Sequence, residues 1–301
     1  MINKNVAIAA IARNCADNLS DNIERIRELR RCFADSVVFL YENNSTDDTK
    51  TILTDWKNSD ESVFLKSEDI DEIPYKTNKK VSRLYRGTDE GRIRKMCDCR
   101  NKLLDMINNY GSFDYVIFID IDIEWFSVDG IIKSIEKAPN GWGGLFSNCY
   151  VTYKNGNQTF DFPMHYDTFA FLRKGKTPEQ ISYSNLNIIF RQFLSSWLYK
   201  KVNRTDCYEC ESAFGGVGIY VGSSLDNLRY QNYKPASWND VNSSLCEHIY
   251  FNSQIKGGKY ISKDLRVCYN YFEVKGVKWF IIRYLPFIFN LTGTLKCLIK
   301  N

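Results

Sequence analysis

The stretch Tyr115-Val116-Ile117-Phe118-Ile119-Asp120-Ile121-Asp122-Ile123-Glu124-Trp125 constrains this chain more than any other. An apolar run bounded by polar residues reads as a buried strand. This one leads into three acids spaced by two. Strand side chains alternate faces, so Asp120, Asp122 and Glu124 are expected to point the same way. A carboxylate entering a core is costly unless a cation or hydrogen-bond donors compensate it. The pattern therefore predicts a metal or a ligand at the end of a strand.

Around this stretch the first half of the chain alternates in period. Residues 6–12 (VAIAAIA) read as a strand, and Leu19, Ile23, Ile26 and Phe33 mark one face of a helix. Residues 36–42 (SVVFLYE) form a second expected strand. Ser45-Thr46-Asp47-Asp48 has the form of a capping box, opening a helix through Trp56. A third short strand is expected at 62–66, a helix at 90–110, and the fourth strand at 115–123. Such alternation predicts an α/β fold with a mostly parallel sheet covered on both faces. Ligands of these sheets bind at the carboxyl ends of the strands, where Asp120 and Asp122 fall. Residues 69–89 are polar and lysine-rich, and read as a mobile loop. Later come a helix at 128–138, a strand at 144–153, a turn at 154–157, an aromatic helix at 181–201, and a glycine-rich loop entering a strand at 214–220.

With 301 residues, 44% apolar and 25% charged, the chain suits one large globular domain or a domain with an appendage. Residues 1–277 are expected to form the domain, with the regularly alternating half at 1–125 and the less regular half at 126–277. A net charge of +4 gives no sign of a nucleic-acid partner. The first strand follows Met1 so closely that no secretory leader is expected. Ten cysteines without scaffold spacing read as free thiols in a reducing, cytosolic setting. The tail 278–301 begins KWFIIRYLPFIFNLTGTLKCLIK, in which Arg283 and Pro286 interrupt any transmembrane length. Two readings stay open for it: an interfacial helix giving peripheral membrane contact, or a helix packed on the core.

Ala12-Arg13-Asn14, the run Glu42-Asn43-Asn44-Ser45-Thr46-Asp47-Asp48-Thr49, and Arg100-Asn101 upstream of Asp120-Ile121-Asp122 together resemble the GT-A glycosyltransferases. Tyr166-Asp167-Thr168, Phe214-Gly215-Gly216 and Cys246-Glu247-His248 resemble the fungal capsule mannosyltransferase group and its bacterial relatives. The resemblance implies a GT-A (Rossmann-like) fold and transfer of a sugar from a UDP- or GDP-sugar donor. The acceptor would be a glycan or lipid-linked sugar in surface polysaccharide synthesis.

It also implies roles. Asp122, Asp120 and His248 would hold Mn²⁺ or Mg²⁺, with Asp120 also reaching the ribose. Hard oxygen donors suit either ion, and an imidazole leans toward Mn²⁺. Ala12, Arg13 and Glu42 would meet the nucleotide, Glu42 standing where most relatives have Asp against the base. Arg92, Arg94, Lys95 and Arg100 make a basic helix suited to phosphate, and Arg94 and Arg100 are the two chosen from it. Glu247 would be the general base and Asp167 would hold sugar hydroxyls. Many inverting relatives have Glu-Asp where this chain has Glu247-His248, which favours His248 as a metal ligand. His165 is expected on the acceptor side or in a structural role. Two rivals remain: a metal-dependent phosphohydrolase or nucleotidyltransferase, and a non-catalytic glycan- or membrane-binding protein.

Overall fold

A computed structural model describes residues 1–76, 88–186, 188–238 and 242–285. The expected lysine-rich loop and tail therefore lie largely outside the described residues. In chain order come β1 (Ile2–Ala12), α1 (Ala16–Arg30), β2 (Phe33–Asn43), α2 (Thr49–Ser59), β3 (Val63–Glu68), α3 (Glu90–Tyr110) and β4 (Tyr115–Ile119). Then follow β5 (Trp125–Phe126), α4 (Val128–Glu136), β6 (Trp142–Asn155), β7 (Gln158–Asp161), β8 (Leu172–Arg173) and α5 (Ile188–Val202). The chain continues through β9 (Cys207–Ser212), β10 (Val217–Val221), α6 (Glu247–Ser253), β11 (Gly258–Glu273) and α7 (Gly276–Tyr284).

One sheet runs in the order β3-β2-β1-β4-β10-β6-β11-β9-β8. Its first four strands are all parallel, as the alternation predicts. β10 then enters antiparallel between β4 and β6. The period of two in β1 explains the layers. Val6, Ile8 and Ala10 face Leu19, Ile23 and Ile26 of α1, while Ala7 and Ala9 face Ile93, Leu103 and Ile107 of α3. Both faces are covered, which is what a parallel sheet requires.

Three local expectations change. Phe33 begins β2 instead of completing the face of α1. The acids do not lie on a strand: β4 ends at Ile119, and Asp120 to Ile123 form a turn in which Ile121 and Ile123 still point into the core. The capping box does not form. Asp48 is the N-cap of α2 without a side-chain capping bond. Ser45 Oγ instead accepts from Asn14 N–H at 3.1 Å, and Asp47 Oδ2 accepts from Ala16 N–H at 3.1 Å. These bonds tie the loop after β1 to the loop after β2.

The described start of the tail packs inward on one side. Trp279 and Ile282 of α7 join Val151, Phe162 and Met164, while Phe280 and Tyr284 are exposed. Among the described residues no helix is long and apolar enough to cross a membrane.

His165 is fully buried, its Nε2 3.8 Å from Cys149 Sγ and its Nδ1 without a partner. Burial pushes its pKa from 6.5 down to about 4. A depressed histidine contributes stability that is fully present above 6.5 and lost as pH falls through 4. At about 1.4 kcal/mol for each pH unit, roughly 3 kcal/mol is at stake. Urea denaturation at pH 7.5 and pH 4.5 is expected to show a loss of that order. A His165→Asn variant should lose clearly less over the same interval; an equal loss refutes the assignment to His165.

Candidate active site

A cleft of about 820 Å³ opens at the carboxyl ends of the parallel strands. Ala12 and Arg13 enter it from the end of β1, Asn43 from β2, and Asp120 and Asp122 from the turn after β4. Two side chains of α1 hold that turn. Asn22 Nδ2 donates to the carbonyls of Ile121 at 2.9 Å and Ile123 at 2.6 Å, and Asn18 Nδ2 donates to that of Asp122 at 3.1 Å. Asn22 is fully buried at a core position of its helix. A lone amide among Leu19, Ile23 and Ile26 was the sequence signal for this brace, because a buried amide needs partners.

Arg100 is the centre of the charged part. It is 3% exposed, reached from α3, and its guanidinium donates from Nη2 to Asp120 Oδ1 and from Nε to Glu247 Oε1, both at 3.2 Å. Phe214 and Tyr230 flank it, with ring centroids 5.1 and 5.7 Å from Cζ. Asn101 fixes Tyr230, donating to its carbonyl and accepting from its N–H, both at 2.9 Å. Burial opposes the charge on Arg100, but Asp120 and Glu247 outweigh it and hold the guanidinium protonated. Burial raises Asp120 to about 7; Asp122 adds to the rise and Arg100 opposes it. Asp122 is open to the cleft and also raised, first by the protein mass around it. Among the described residues it has no ion-pair partner in contact.

Glu247 and His248 open α6 and both line the cleft. The His248 ring stacks on Phe214 at 3.8 Å, and neither ring nitrogen has a hydrogen-bond partner. Nε2 is 3.7 Å from Glu247 Oε1, too long for a hydrogen bond. Burial, then Arg100, push its pKa well below 6.5, so the ring is neutral. A neutral, orphaned imidazole lining the same cleft as Asp122 has the chemistry of a divalent-cation ligand. Among the described residues no three acidic, histidine or cysteine side chains gather into a cage. Magnesium-like ions on a diphosphate take only one or two protein carboxylates and draw the rest from substrate and water. The donor set fits such an ion.

The remaining expected residues divide. Asp167 lines the cleft, but its carboxylate accepts from the N–H groups of Phe169, Ala170 and Gly215 at 3.1–3.3 Å. It thereby holds Gly215, whose φ of +69° and a Cβ position 2.5 Å from Ser147 Oγ admit only glycine. Arg13 pairs with Glu72 at 2.6 Å. Glu42 is fully buried, accepting from Ser45 N–H at 2.8 Å and from Ser67 Oγ, and does not border the cleft; its neighbour Asn43 does. Arg94 points outward and donates to the Pro74 carbonyl at 2.8 Å, whereas Arg92 and Lys95 line the cleft. His165 lies outside it. Tyr166, from the Tyr166-Asp167-Thr168 motif, stacks at 4.4 Å on Tyr269, which no motif marked, and the two form a wall of the cleft. The exposed side of Tyr166 offers an apolar ring face with a hydroxyl at its edge, a combination that suits a sugar ring.

The mostly parallel sheet flanked by helices, with the acidic turn after β4 at its carboxyl end, is the α/β architecture that the resemblance to GT-A glycosyltransferases implies. Residues 5–250 match the model of the family described as cryptococcal mannosyltransferase 1, and the chain belongs to that family. No protein of curated function matches the sequence. Among solved structures, it is similar to the mannosyltransferase PcManGT from Pyrobaculum calidifontis in complex with GDP-Man and Mn²⁺. That match has 11% identity and a TM-score of 0.45, and covers 100% of this chain and 66% of the other. It is also similar to residues 1–349 of TarS from S. aureus, at 12% identity and a TM-score of 0.44, covering 89% and 60%. The chain thus spans about two thirds or less of the solved chains it matches.

Proposed function

We propose that the protein transfers a hexosyl group from a nucleotide-sugar donor to a hydroxyl of a glycan or lipid-linked acceptor, with Mn²⁺ or Mg²⁺ as cofactor. The observation that carries this reading is one guanidinium, Arg100, joining Asp120 to Glu247 in a cleft that Asp122 and His248 also line. In such a transfer the bond from the anomeric carbon to the diphosphate oxygen breaks and its electron pair leaves on the diphosphate. A bond forms from the acceptor oxygen to the same carbon, and the acceptor proton must be taken up. Glu247 would take it as the general base. Arg92, Lys95 and Arg100 give the cleft positive charge against the departing diphosphate. Asp122 and His248 are the residues to hold a divalent ion, which when bound neutralises leaving-group charge. The Tyr166–Tyr269 pair is the surface for the acceptor ring. The basic and aromatic tail supports peripheral attachment at the cytoplasmic face of a membrane and a role in surface polysaccharide synthesis.

Calorimetry with GDP and UDP, with and without Mn²⁺, tests the reading. Binding is expected to need the metal and to fall at least about tenfold in Asp122→Ala, consistent with loss of a charge-assisted ligand. Nucleotide binding that ignores both the metal and Asp122 sinks it. A panel of nucleotide sugars, scored for donor hydrolysis, then identifies the base and sugar.

A further inference from the structure

A second cavity, of about 340 Å³, adjoins the cleft. The two share a wall: Thr168 lines the second cavity, and its chain neighbours Asp167 and Phe169 line the cleft. The lining of the second cavity carries Arg173, Lys176 and Arg191, and no Asp or Glu among the described residues. Arg173 and Lys176 are exposed, whereas Arg191 is 6% exposed.

Arg191 is the informative group. Its Nη1 donates to the Thr168 carbonyl, and its Cζ lies 3.7 Å from the centroid of the Phe169 ring. Its Nε is buried and has no hydrogen-bond partner, and no carboxylate is in contact with the guanidinium. Bracing the Thr168 turn uses one of its five N–H donors. A guanidinium withdrawn from water without an anion is costly, and an incoming anion supplies the missing partner. Trp197, half-buried, lines the same cavity, its ring centroid 5.7 Å from Arg173 Cζ. An aromatic wall next to convergent cations is matched by a ring with one apolar face and one negative group.

We propose that this cavity binds an anionic saccharide, a sugar ring bearing a carboxylate or a phosphate, with its anion toward Arg191, Arg173 and Lys176 and its ring against Trp197. The saccharide half of this assignment rests on the transfer reading above; the anion half rests on the charges of the cavity itself. The site lies one residue from the cleft wall, so it engages a part of the glycan other than the reacting hydroxyl.

The test uses the full chain at fixed ionic strength, titrated with a methyl hexuronoside, a hexose 6-phosphate, a neutral methyl hexoside and inorganic phosphate. Binding is followed by the indole NMR signal that Trp197→Phe removes. At least one anionic sugar is expected to bind about tenfold or more tighter than the neutral one, the scale of one charge-assisted hydrogen bond. The double variant Arg173→Ala/Lys176→Ala should cut that preference severalfold, leaving the part due to Arg191, while GDP and UDP bind as before. Equal affinity for charged and neutral sugars overturns the proposal, as does a preference that the double variant leaves undiminished. Inorganic phosphate binding as tightly as the hexose phosphate overturns the ring contact at Trp197. A protein that binds nucleotide but no anionic sugar overturns this inference alone. One that binds the anionic sugar but no nucleotide overturns the transfer reading and supports the cavity.

Discussion

Glu247→Gln is expected to cut turnover by roughly 10²–10⁴ while leaving nucleotide and metal affinity nearly unchanged, the range associated with loss of a general base. The amide keeps the size of the side chain and an oxygen that accepts from Arg100 Nε, so the network survives and only proton uptake is lost. The kcat effect should therefore far exceed any change in KM for the donor. His248→Ala should behave differently, weakening Mn²⁺ affinity and transfer together, with excess Mn²⁺ recovering part of the rate. The anomeric configuration of the product, read by NMR, is an independent check. An inverted product together with a crippled Glu247→Gln supports the base; a retained product excludes it from that role.

Arg100→Met is expected to cost about 3–5 kcal/mol of folding stability, the usual result of removing one partner from a buried ion pair. Two carboxylates depend on the one guanidinium, and Glu247 is almost as buried as Arg100. The deficit should depend on pH. Asp120 already has its pKa raised to about 7, so it contributes stability while protonated and loses it as pH rises through that value. Without Arg100 its pKa rises further, and the ionised form is penalised more. Denaturation curves should thus show a larger deficit at pH 8 than at pH 5.5. A deficit under about 1 kcal/mol, or one independent of pH, contradicts a buried charge cluster.

Much of this site was legible because its signals are local. The apolar run before Asp120 and the 3.6-residue period of α3 are properties of short windows, and α3 has the bounds expected for it. Arg100 and Arg94 looked equivalent in sequence. Their separation depends on which face of α3 meets the sheet: Arg100 shares the inner face with Leu103 and Leu104, and Arg94 does not. Glu42 ends its strand as expected, but Ser45 and Ser67 take its carboxylate inward, a contact between three segments that no window contains. The apparent capping box failed for the same reason. Ser45 and Asp47 found donors in the loop after β1, and tertiary hydrogen bonds displaced local ones. Tyr230 and Tyr269 were illegible because aromatic residues are common in cores, and only tertiary contacts set Tyr230 against Arg100 and Tyr269, on β11, against Tyr166.

The sharing of Arg100 has a consequence for the order of events. On the proposed function Asp120 would serve the nucleotide and Glu247 the acceptor, yet both draw on one positive charge. The two carboxylates are therefore coupled through a single cation. A donor and its cation that engage Asp120 would leave Glu247 as the remaining carboxylate partner of Arg100. The cleft would then be readied for the acceptor by the arrival of the donor, with the sugar nucleotide binding first and the acceptor second.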